Sequence, residues 1–511
     1  MRPTFMGFES SKSAIFASQK ALDIVGQNLA NMSSAGYTRQ RTDQVAVDSY
    51  SYKNRLNVNS LNYTGMGTSI QGVSQVRDDR MDTAFRGSYA ETSYYKKSSE
   101  MLSEMETVLS EIDIGIDGNG YGLSWGIEQM YTALEDYASN ININGDSTIF
   151  AESVNNVTSL LNHISKTLSD TCETYKNDLY NQVEDANMFF QNIADLNKQI
   201  SEIMSSNSYT EQYGPNELID KRNVLIDQLS AFGKVEVTGS PDGMVNIKLN
   251  GHECVTGKTC DVINYQDNSN GTVSLRWKSD SSLADTQNGI LKASTEIING
   301  RGDNISSSNE DTVRGFRYYS DYLDTFASKL AEVLNNTLPE TIDANGNILT
   351  YKKLVGAAEK TDAGIEVYPD KKISASNITI SNELLNDPTY PIYDKKSSNN
   401  SYMLELIGKL SANQQTFYNG TETFKGTFQE FISEYVGKLG NQVYYAGSRY
   451  EACEKYSDEL AKQRDNITGV SESEETINML TYNKAFQAAA KMMTTMDELL
   501  DVIINQIGAL G

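Results

Sequence analysis

Both ends of the chain carry apolar residues at intervals of three and four, and this repeat constrains the fold more than any other feature. Near the N-terminus one row recurs every seven residues with a second beside it, formed by Phe8, Ile15, Leu22 and Leu29 and by Val25. The C-terminal row is unbroken through Met479, Tyr482, Phe486, Ala489, Met493, Met496, Leu500, Ile503 and Ile507. A spacing of about 3.5 residues is typical of helices that pack along a seam. The sequence therefore predicts a coiled-coil helix at each end, and Ser471-Glu-Ser-Glu474 is the capping box that opens the last one.

A third apolar seam, much longer, runs through the middle of the helical part. It extends from Phe150 to Ile203 with one slip near Tyr175, and no proline interrupts it. Such a pattern predicts a single helix of about 80 Å at 1.5 Å per residue. A helix of that length suits an elongated bundle better than a compact enzyme domain.

Between the helical ends the period changes from 3.6 to 2. Short alternating segments such as Met244-Val-Asn-Ile-Lys-Leu249 are separated by Asn-Gly and Asp-Gly turns, which indicates strands. The predicted fold class is α+β and multidomain, a long-helix coiled-coil bundle from both termini with inserted β-rich outer domains. The expected helical domains at the N-terminal side are a terminal helix that pairs with the C-terminal one (1–88) and a long-helix bundle (89–231). A small β domain (232–300), a helix that returns to the bundle (301–336) and a variable β-rich outer domain (337–400) are expected to follow. The chain is expected to end with a helical bundle return (401–470) and the C-terminal coiled-coil helix (471–511).

Composition removes several classes of function. The net charge is −25, which opposes binding to a phosphate backbone, so no nucleic-acid partner is expected. No apolar run approaches the roughly 20 residues that span a bilayer, so no membrane insertion is expected. With only two histidines, His163 and His252, a Ser-His-Asp triad or a multi-histidine metal site is nearly excluded. We predict no enzyme activity, catalytic residue, metal site or cofactor. Cys254 and Cys260 could pair across a hairpin or remain free thiols.

Two segments carry a resemblance to a known family. Asn28-Leu-Ala-Asn31-Met-Ser-Ser-Ala-Gly36-Tyr37-Thr-Arg39-Gln40 resembles the N-terminal signature of the flagellar axial proteins, which are the rod, hook and hook-associated proteins. The segment from Glu474 to Lys491, with Tyr482 and Phe486, resembles the C-terminal signature of the same family. Gly36 can take a positive φ to end the first helix, which would direct Tyr37 and Arg39 into a neighbouring contact. Within the family, the block from Glu217 to Leu229 is similar to the members at the hook–filament junction.

The resemblance implies a structural adaptor of the bacterial flagellum that forms the junction between hook and filament. It implies export through the flagellar type III apparatus without a cleavable signal peptide, followed by self-assembly outside the cell. The implied partners are further copies of the chain in a ring on an eleven-protofilament lattice, the hook protein, the second junction protein, and an export chaperone at the C-terminal helix. The seam residues at both ends, with Asn28, Asn31, Gly36, Tyr37 and Arg39, are the expected assembly interface.

Two alternatives remain open on the sequence. The chain could be another flagellar axial protein, either the second junction protein or a hook protein. It could instead be an acidic extracellular adhesin whose β domains bind a host ligand, because residues 337–400 are not covered by the resemblance.

Overall fold

The computed structural model describes residues 6–47, 67–110, 122–140, 144–205, 214–284, 286–302, 313–343, 347–361, 364–392, 400–418 and 423–507. Helices dominate this part of the chain, and long ones occupy both ends. They are α1 Met6–Ala30, α2 Asp79–Ser110, α3 Leu123–Ser139, α4 Asn144–Ser205, α5 Asn216–Leu229, α6 Gly289–Asn299, α7 Phe316–Asn335, α8 Asn382–Asn386, α9 Ser401–Leu410, α10 Phe428–Thr468 and α11 Glu472–Asp501, which continues as a π-helical segment Val502–Ile507.

The strands form several small antiparallel sheets rather than one large one. They are β1 Gln40–Ala46, β2 Thr68–Gln75, β3 Val235–Gly239, β4 Val245–Leu249, β5 His252–Thr256, β6 Thr259–Cys260, β7 Ile263–Asp267, β8 Val273–Trp277, β9 Pro339–Ile342, β10 Ile348–Tyr351, β11 Val355–Thr361, β12 Gly364–Tyr368, β13 Ile378–Ile380, β14 Gln415–Tyr418 and β15 Thr423–Gly426. Strands β3 to β6 pair in chain order, β11 lies between β12 and β13, and the other strands form pairs. The α+β fold class with long terminal helices is confirmed.

In the β1–β2 and β14–β15 pairs, strands that are consecutive along the chain lie side by side. The β1–β2 pair matches Gln40 with Gln75 and has a bulge between Asp43 and Gln44. The β14–β15 pair is a finding that the sequence analysis did not anticipate, since we expected helices alone after residue 402. Its residues Phe417 and Phe424 are directly opposite each other, and the centroids of their rings are 6.0 Å apart.

The chain divides into two compact units. Unit 1 comprises residues 1–91, 185–262 and 454–511, and unit 2 comprises residues 92–184 and 263–453. Helices α2, α4 and α10 therefore contribute one part to each unit. Unit 1 contains both ends of the chain, the β1–β2 pair, α5 and the sheet of β3 to β6.

The long seam predicted in the middle of the chain lies on α4, a single helix of 62 residues. Its apolar positions are buried almost without exception, namely Phe150, Val154, Val157, Leu161, Ile164, Leu168, Tyr175, Leu179, Val183, Ala186, Phe190, Ile193 and Ile200. Ile203, the last residue of the predicted seam, is exposed. Asn197 is fully buried between Ile193 and Ile200 and bonds to the backbone of the β3–β6 sheet.

An aromatic cluster forms the core of unit 2. The rings of Tyr322 and Phe431 stack with their centroids 4.0 Å apart, and the Tyr435 ring stacks on Tyr322 with a centroid separation of 4.7 Å. The Tyr435 hydroxyl donates to the Tyr319 carbonyl at 3.0 Å, so this buried polar atom is satisfied. Aromatic pairs of this kind add about 0.5–1.5 kcal/mol each beyond their area burial.

Among the described residues, no helix combines the length and apolar character that crossing a bilayer requires. The same residues contain no group of three or more histidine, cysteine or acidic side chains arranged to hold a metal ion. The four cysteines are free thiols. Cys254 donates to the Ile247 carbonyl, and Cys260 donates to Gln191 on α4.

Candidate assembly site

The terminal helices α1 and α11 pack against each other as an antiparallel pair. At one end the Asn28 amide donates to the Glu475 carboxylate at 3.2 Å. At the other end Gly7 lies so close to Met496 that a Cβ on Gly7 would stand 2.5 Å from the Met496 Cε. Gly7 and Asn28 are as far apart on α1 as Met496 and Glu475 are on α11, so the register is constant along the pair.

A row of three small residues on α1, Gly7, Ala14 and Ala21, faces α11. The constant register places Ala14 opposite Ala489 and Ala21 opposite Tyr482, and Ala21 and Ala489 are buried. The larger side chains predicted for the N-terminal seam, such as Ile15 and Leu22, lie half-buried beside this row. Opposite the small row of α1, α11 presents Met496, Ala489 and Tyr482, so a small residue faces a large one at two of these three positions.

The structure brings most of the predicted interface residues together within unit 1. Val25, Asn28 and Ala489 are buried, while the half-buried residues are Phe8, Ile15, Leu22, Leu29, Asn31, Tyr37, Arg39, Tyr482, Phe486, Met493, Met496 and Leu500. Gly36, Met479 and Ile503 are exposed. Ile507 ends the π-helical segment, and its side chain lies outside the described residues.

A second stripe of α11 points away from α1 and is exposed to solvent. We call it the outer face of α11, and it consists of Ile477, Leu480, Lys484, Ala488, Lys491 and Thr495. These positions are three or four residues apart, so they share one side of the helix. Met492 and Leu499, each more than half exposed, border the same stripe. The sequence analysis missed this face because it followed only the seam with perfect spacing.

The connections that lead into the terminal pair meet at one point. The Arg39 amide, just before β1, donates to the Thr468 carbonyl at the end of α10 at 2.8 Å. The Asn28 side chain bridges the turn after α1. Its amide donates to the Gln40 carbonyl at 2.9 Å, and its carbonyl accepts from the Gln40 amide at 3.0 Å and from the Tyr37 hydroxyl at 2.9 Å. The signature residues thus hold the turn in a fixed conformation.

An ion pair joins this turn to the start of α11. The Arg39 guanidinium donates to Glu475 at 2.8 Å and to Glu474 at 2.7 Å. Glu475 is only 1% exposed, and Ser471 caps the helix by accepting from the Glu474 amide. Negative charge in the first turn of a helix is favourable because it faces the positive end of the dipole. Glu475 therefore receives stabilisation from the helix, from Arg39 and from Asn28 together.

Helix α5 connects the turn to the rest of unit 1 through Asp220. Its carboxylate accepts from the Thr38 hydroxyl at 2.6 Å, the Thr38 amide at 3.2 Å and the Gln75 amide at 2.9 Å. Burial raises the pKa of Asp220, and the Thr38 hydrogen bonds and the Arg77 charge oppose that shift. The sequence analysis noted this block without assigning a role to Asp220.

Two further charged residues of α5 contact other elements of unit 1. The buried Arg222 guanidinium donates to Asn197 at 2.9 Å and to the Gly243 carbonyl at 2.7 Å, which attaches the β3–β6 sheet. Burial, with a smaller contribution from Arg77, lowers the pKa of Arg222 to about 10. Asp227 accepts from Arg86 on α2 and from Arg464 on α10, each at 2.7 Å. Thus α5 links the turn, two long helices and a sheet.

A groove of about 690 Å³ opens where the turn, α4 and α5 meet. Its floor is apolar and half-buried, formed by Leu196, Val224 and Leu225, and its charged lining residues are Asp195, Glu217, Asp220 and Lys221. We call it the α4–α5 groove. Gly36 forms part of its wall with a φ of +76°. A Cβ on Gly36 would stand 2.2 Å from the Val224 Cγ2.

We expect Gly36→Ala to destabilise the turn by about 2 kcal/mol, because an L residue is strained at positive φ and its Cβ would collide with Val224. Hydrogen exchange of residues 28–40 should accelerate accordingly. Gly26→Ala is the control, since Gly26 lies in α1 with no atom within 4 Å of its added Cβ. That change should stabilise α1 by about 0.5–1 kcal/mol. Equal behaviour of the two variants would contradict the assigned turn geometry.

Gln40 is buried, and neither the nitrogen nor the oxygen of its side-chain amide has a hydrogen-bond partner among the described residues. An unsatisfied buried amide costs about 1–3 kcal/mol. We therefore expect Gln40→Met, which keeps the volume and removes both polar atoms, to raise the stability of unit 1 by about 1 kcal/mol. Thermal unfolding would measure this, and a lowered midpoint would show that the amide is satisfied.

Comparison with known proteins gives two family matches that agree with this geometry. Residues 102–350 match the helical domain of the flagellar hook-associated protein FlgK, and residues 463–507 match the C-terminal region of the flagellar basal body rod proteins FlgEFG. The second match covers all of α11.

Full-length relatives point to the same group. The chain is 28% identical over 540 aligned positions to flagellar hook-associated protein 1 of Bacillus subtilis, with all of both chains covered. It is 21% identical to the protein of that name from Salmonella typhimurium, covering 96% of this chain and 98% of the relative. The structure of the flagellar hook junction protein FlgK from Burkholderia pseudomallei matches with a TM-score of 0.56 at 11% identity, covering 76% of this chain and all of the other. That likeness shows the fold.

The paired terminal helices, the two family matches and the full-length relatives define the class of the chain, which is a structural protein of the bacterial flagellar axis. Within that class, the matches support identification with the hook-associated protein 1 family, also called FlgK, the structural proteins of the hook–filament junction.

Proposed function

We propose that this chain is the structural adaptor between the hook and the filament of the flagellum that carries it, and that it has no catalytic activity. Copies of it form a ring on the eleven-protofilament lattice, with the hook protein on one side and the second junction protein on the other. Its place is outside the cell, which it reaches through the type III apparatus without a cleavable signal peptide. Family membership supports the location and the structural role.

The observation that carries the assembly proposal is the outer face of α11. The pairing of α1 with α11 covers the middle of the predicted seam only in part, and Ile477 and Leu480 stay more than half exposed on the opposite side of α11. An exposed apolar stripe on a helix favours packing against another helix. In this proposal the outer face contacts the export chaperone before assembly and neighbouring subunits afterwards.

Two adjacent methionines separate the roles of the two sides of α11. Met492 is 52% exposed beside the outer face, whereas Met493 is half-buried on the side that faces α1. We expect Met492→Asp to leave the monomer folded and to abolish its incorporation into flagella, because a carboxylate is costly to bury in an apolar contact. Met493→Asp should instead loosen the α1–α11 pair in the monomer, which accelerates its hydrogen exchange.

Incorporation is measured by complementing a strain that lacks the chain and by recovering the protein from purified flagella. The circular dichroism of purified Met492→Asp should match that of the unchanged protein. Normal incorporation of this variant would contradict the assignment of the outer face to assembly. Removal of the chain altogether should leave hooks without attached filaments, and normal filaments in that strain would contradict the proposed function.

A further inference from the structure

The α4–α5 groove and the outer face of α11 have complementary chemistry, although they belong to the same unit of one chain. The groove has an apolar floor of Leu196, Val224 and Leu225. The outer face offers apolar side chains, including Leu480 and Ala488, on both sides of Lys484. The outer face is exposed and the groove is open, so neither surface fills the other within the same chain.

The charges of the two surfaces are opposite. Three carboxylates, Asp195, Glu217 and Asp220, line the groove against one lysine, Lys221. The outer face carries Lys484 and Lys491, and the first acidic residue on that side of the helix is Glu498, which follows Thr495 at the end of the stripe. Neither lysine forms an ion pair with any residue that the structure describes, and Asp195 likewise has no cationic partner there, its carboxylate accepting only from the Gln191 amide. Opposite potentials of this kind fix the register of an interface.

From these observations we propose that the α4–α5 groove of one copy receives the outer face of α11 from the next copy. The inference rests on the proposed self-assembly and specifies its contact. Leu480 and Ala488 pack on the groove floor, and Lys484 and Lys491 lie against Asp195 and Glu217. Two different patches of each copy are used, so the interface is heterologous. A heterologous interface propagates around a ring or along a helix and does not close as a two-fold dimer.

The groove residues are held in place by contacts already described, which suits a preformed receptor. Asp220 is fixed by Thr38 and Gln75. Gly36 holds the turn against Val224. Binding a helix in a preformed groove costs less conformational entropy than ordering both surfaces together.

The test places the photo-crosslinking residue p-benzoylphenylalanine at Leu480 in a strain whose only copy is this variant. After irradiation of intact flagella, peptides crosslinked to α11 are identified by mass spectrometry. We expect them to come from Asn216–Leu229 or from 192–199 of a second copy. The same residue at Asn483, exposed on the flank of α11, is the control and should give at least about tenfold fewer of these crosslinks.

Charge exchange gives an independent measurement. The double variant Lys484→Glu and Lys491→Glu should lower the crosslink yield about tenfold, because it places like charges across the contact. Adding Asp195→Lys and Glu217→Lys to that variant should restore most of the yield. Lys462→Glu, which changes one exposed charge on α10 in the same unit, should have no effect.

The outcomes distinguish this inference from the proposed function. If the chain is present at the hook–filament junction but the crosslinks map to another α11, to the hook protein or to a chaperone, the groove contact is wrong and the junction role stands. If the unmodified chain is absent from flagella, the proposed function fails, and the inference fails with it. Crosslinks to the groove that the charge exchange does not change would also overturn the assigned register.

Discussion

Replacing Glu475 by alanine should detach the start of α11 from the turn after α1 and lower the stability of that joint by about 3 kcal/mol. The Glu475 carboxylate is 1% exposed and accepts from both Arg39 and Asn28. Removing it leaves the partly buried Arg39 guanidinium without its inner partner, and the Asn28 side-chain amide keeps only the Gln40 carbonyl as an acceptor. Hydrogen exchange of Met6–Ala30 and Glu472–Asp501 should accelerate together, because the two helices depend on this end of the pair.

The adjacent residue provides a matched control. Glu474 pairs with the same arginine at 2.7 Å, but its side chain is 61% exposed. Exposed ion pairs contribute about 0–1 kcal/mol, so Glu474→Ala should change exchange only slightly. If Glu474→Ala were as damaging as Glu475→Ala, burial would not be the reason for the effect, and the joint would depend on total charge instead.

Replacing Asp227 by alanine should cost about 3 kcal/mol as well, since this carboxylate joins two arginines from distant parts of the chain. It accepts from Arg86, whose side chain is 7% exposed, and from Arg464, whose side chain is 18% exposed. Arg464 retains the nearby Asp82 carboxylate at 3.8 Å and the Phe85 ring at 4.0 Å. The loss therefore falls mainly on Arg86, whose Nε has no other partner among the described residues.

Urea unfolding of the Asp227→Ala variant, followed by circular dichroism, measures this prediction. Glu236→Ala is the comparison, because it removes a carboxylate of unit 1 whose ion pair with Lys234 is about half exposed on both sides. That variant should unfold within about 0.5 kcal/mol of the unchanged protein. An Asp227→Ala variant of unchanged stability would show that α5 is not a structural link between α2 and α10.

The helices could be predicted from the sequence because their signals are local. The repeat of three and four residues located α11, and the long apolar seam located α4, whose seam positions up to Ile200 are buried as the pattern requires. The capping box at Ser471 marks the start of α11 correctly. Each of these signals compares residues a few positions apart, which is the distance over which helical packing repeats.

The central role of α5 could not be read from the sequence. Asp227 and Arg464 are separated by 237 positions, and Asn28 and Glu475 by 447. No local period connects such pairs, and a charged residue on a short helix is more commonly exposed than buried. The spacing also did not reveal that the row of α1 facing α11 is the small one with Ala14 and Ala21, while Ile15 and Leu22 lie half-buried beside it.

The two sides of α11 have different surroundings. One side packs against α1 within the chain, and the Arg39–Glu475 ion pair connects the start of α11 to the turn after α1. The outer face remains available for contacts between subunits. If the chain is exported before it assembles, as we propose, the monomer needs only its internal pairing to fold.

The measurement that tests the central claim most directly is immunogold electron microscopy of intact flagella with an antibody against residues 337–400. Gold confined to a narrow band where the curved hook meets the filament is the result that we expect. Gold along the filament or over the hook would contradict the junction role and identify another axial protein. Gold on the cell surface, with none on flagella, would contradict the proposed function altogether and favour the adhesin.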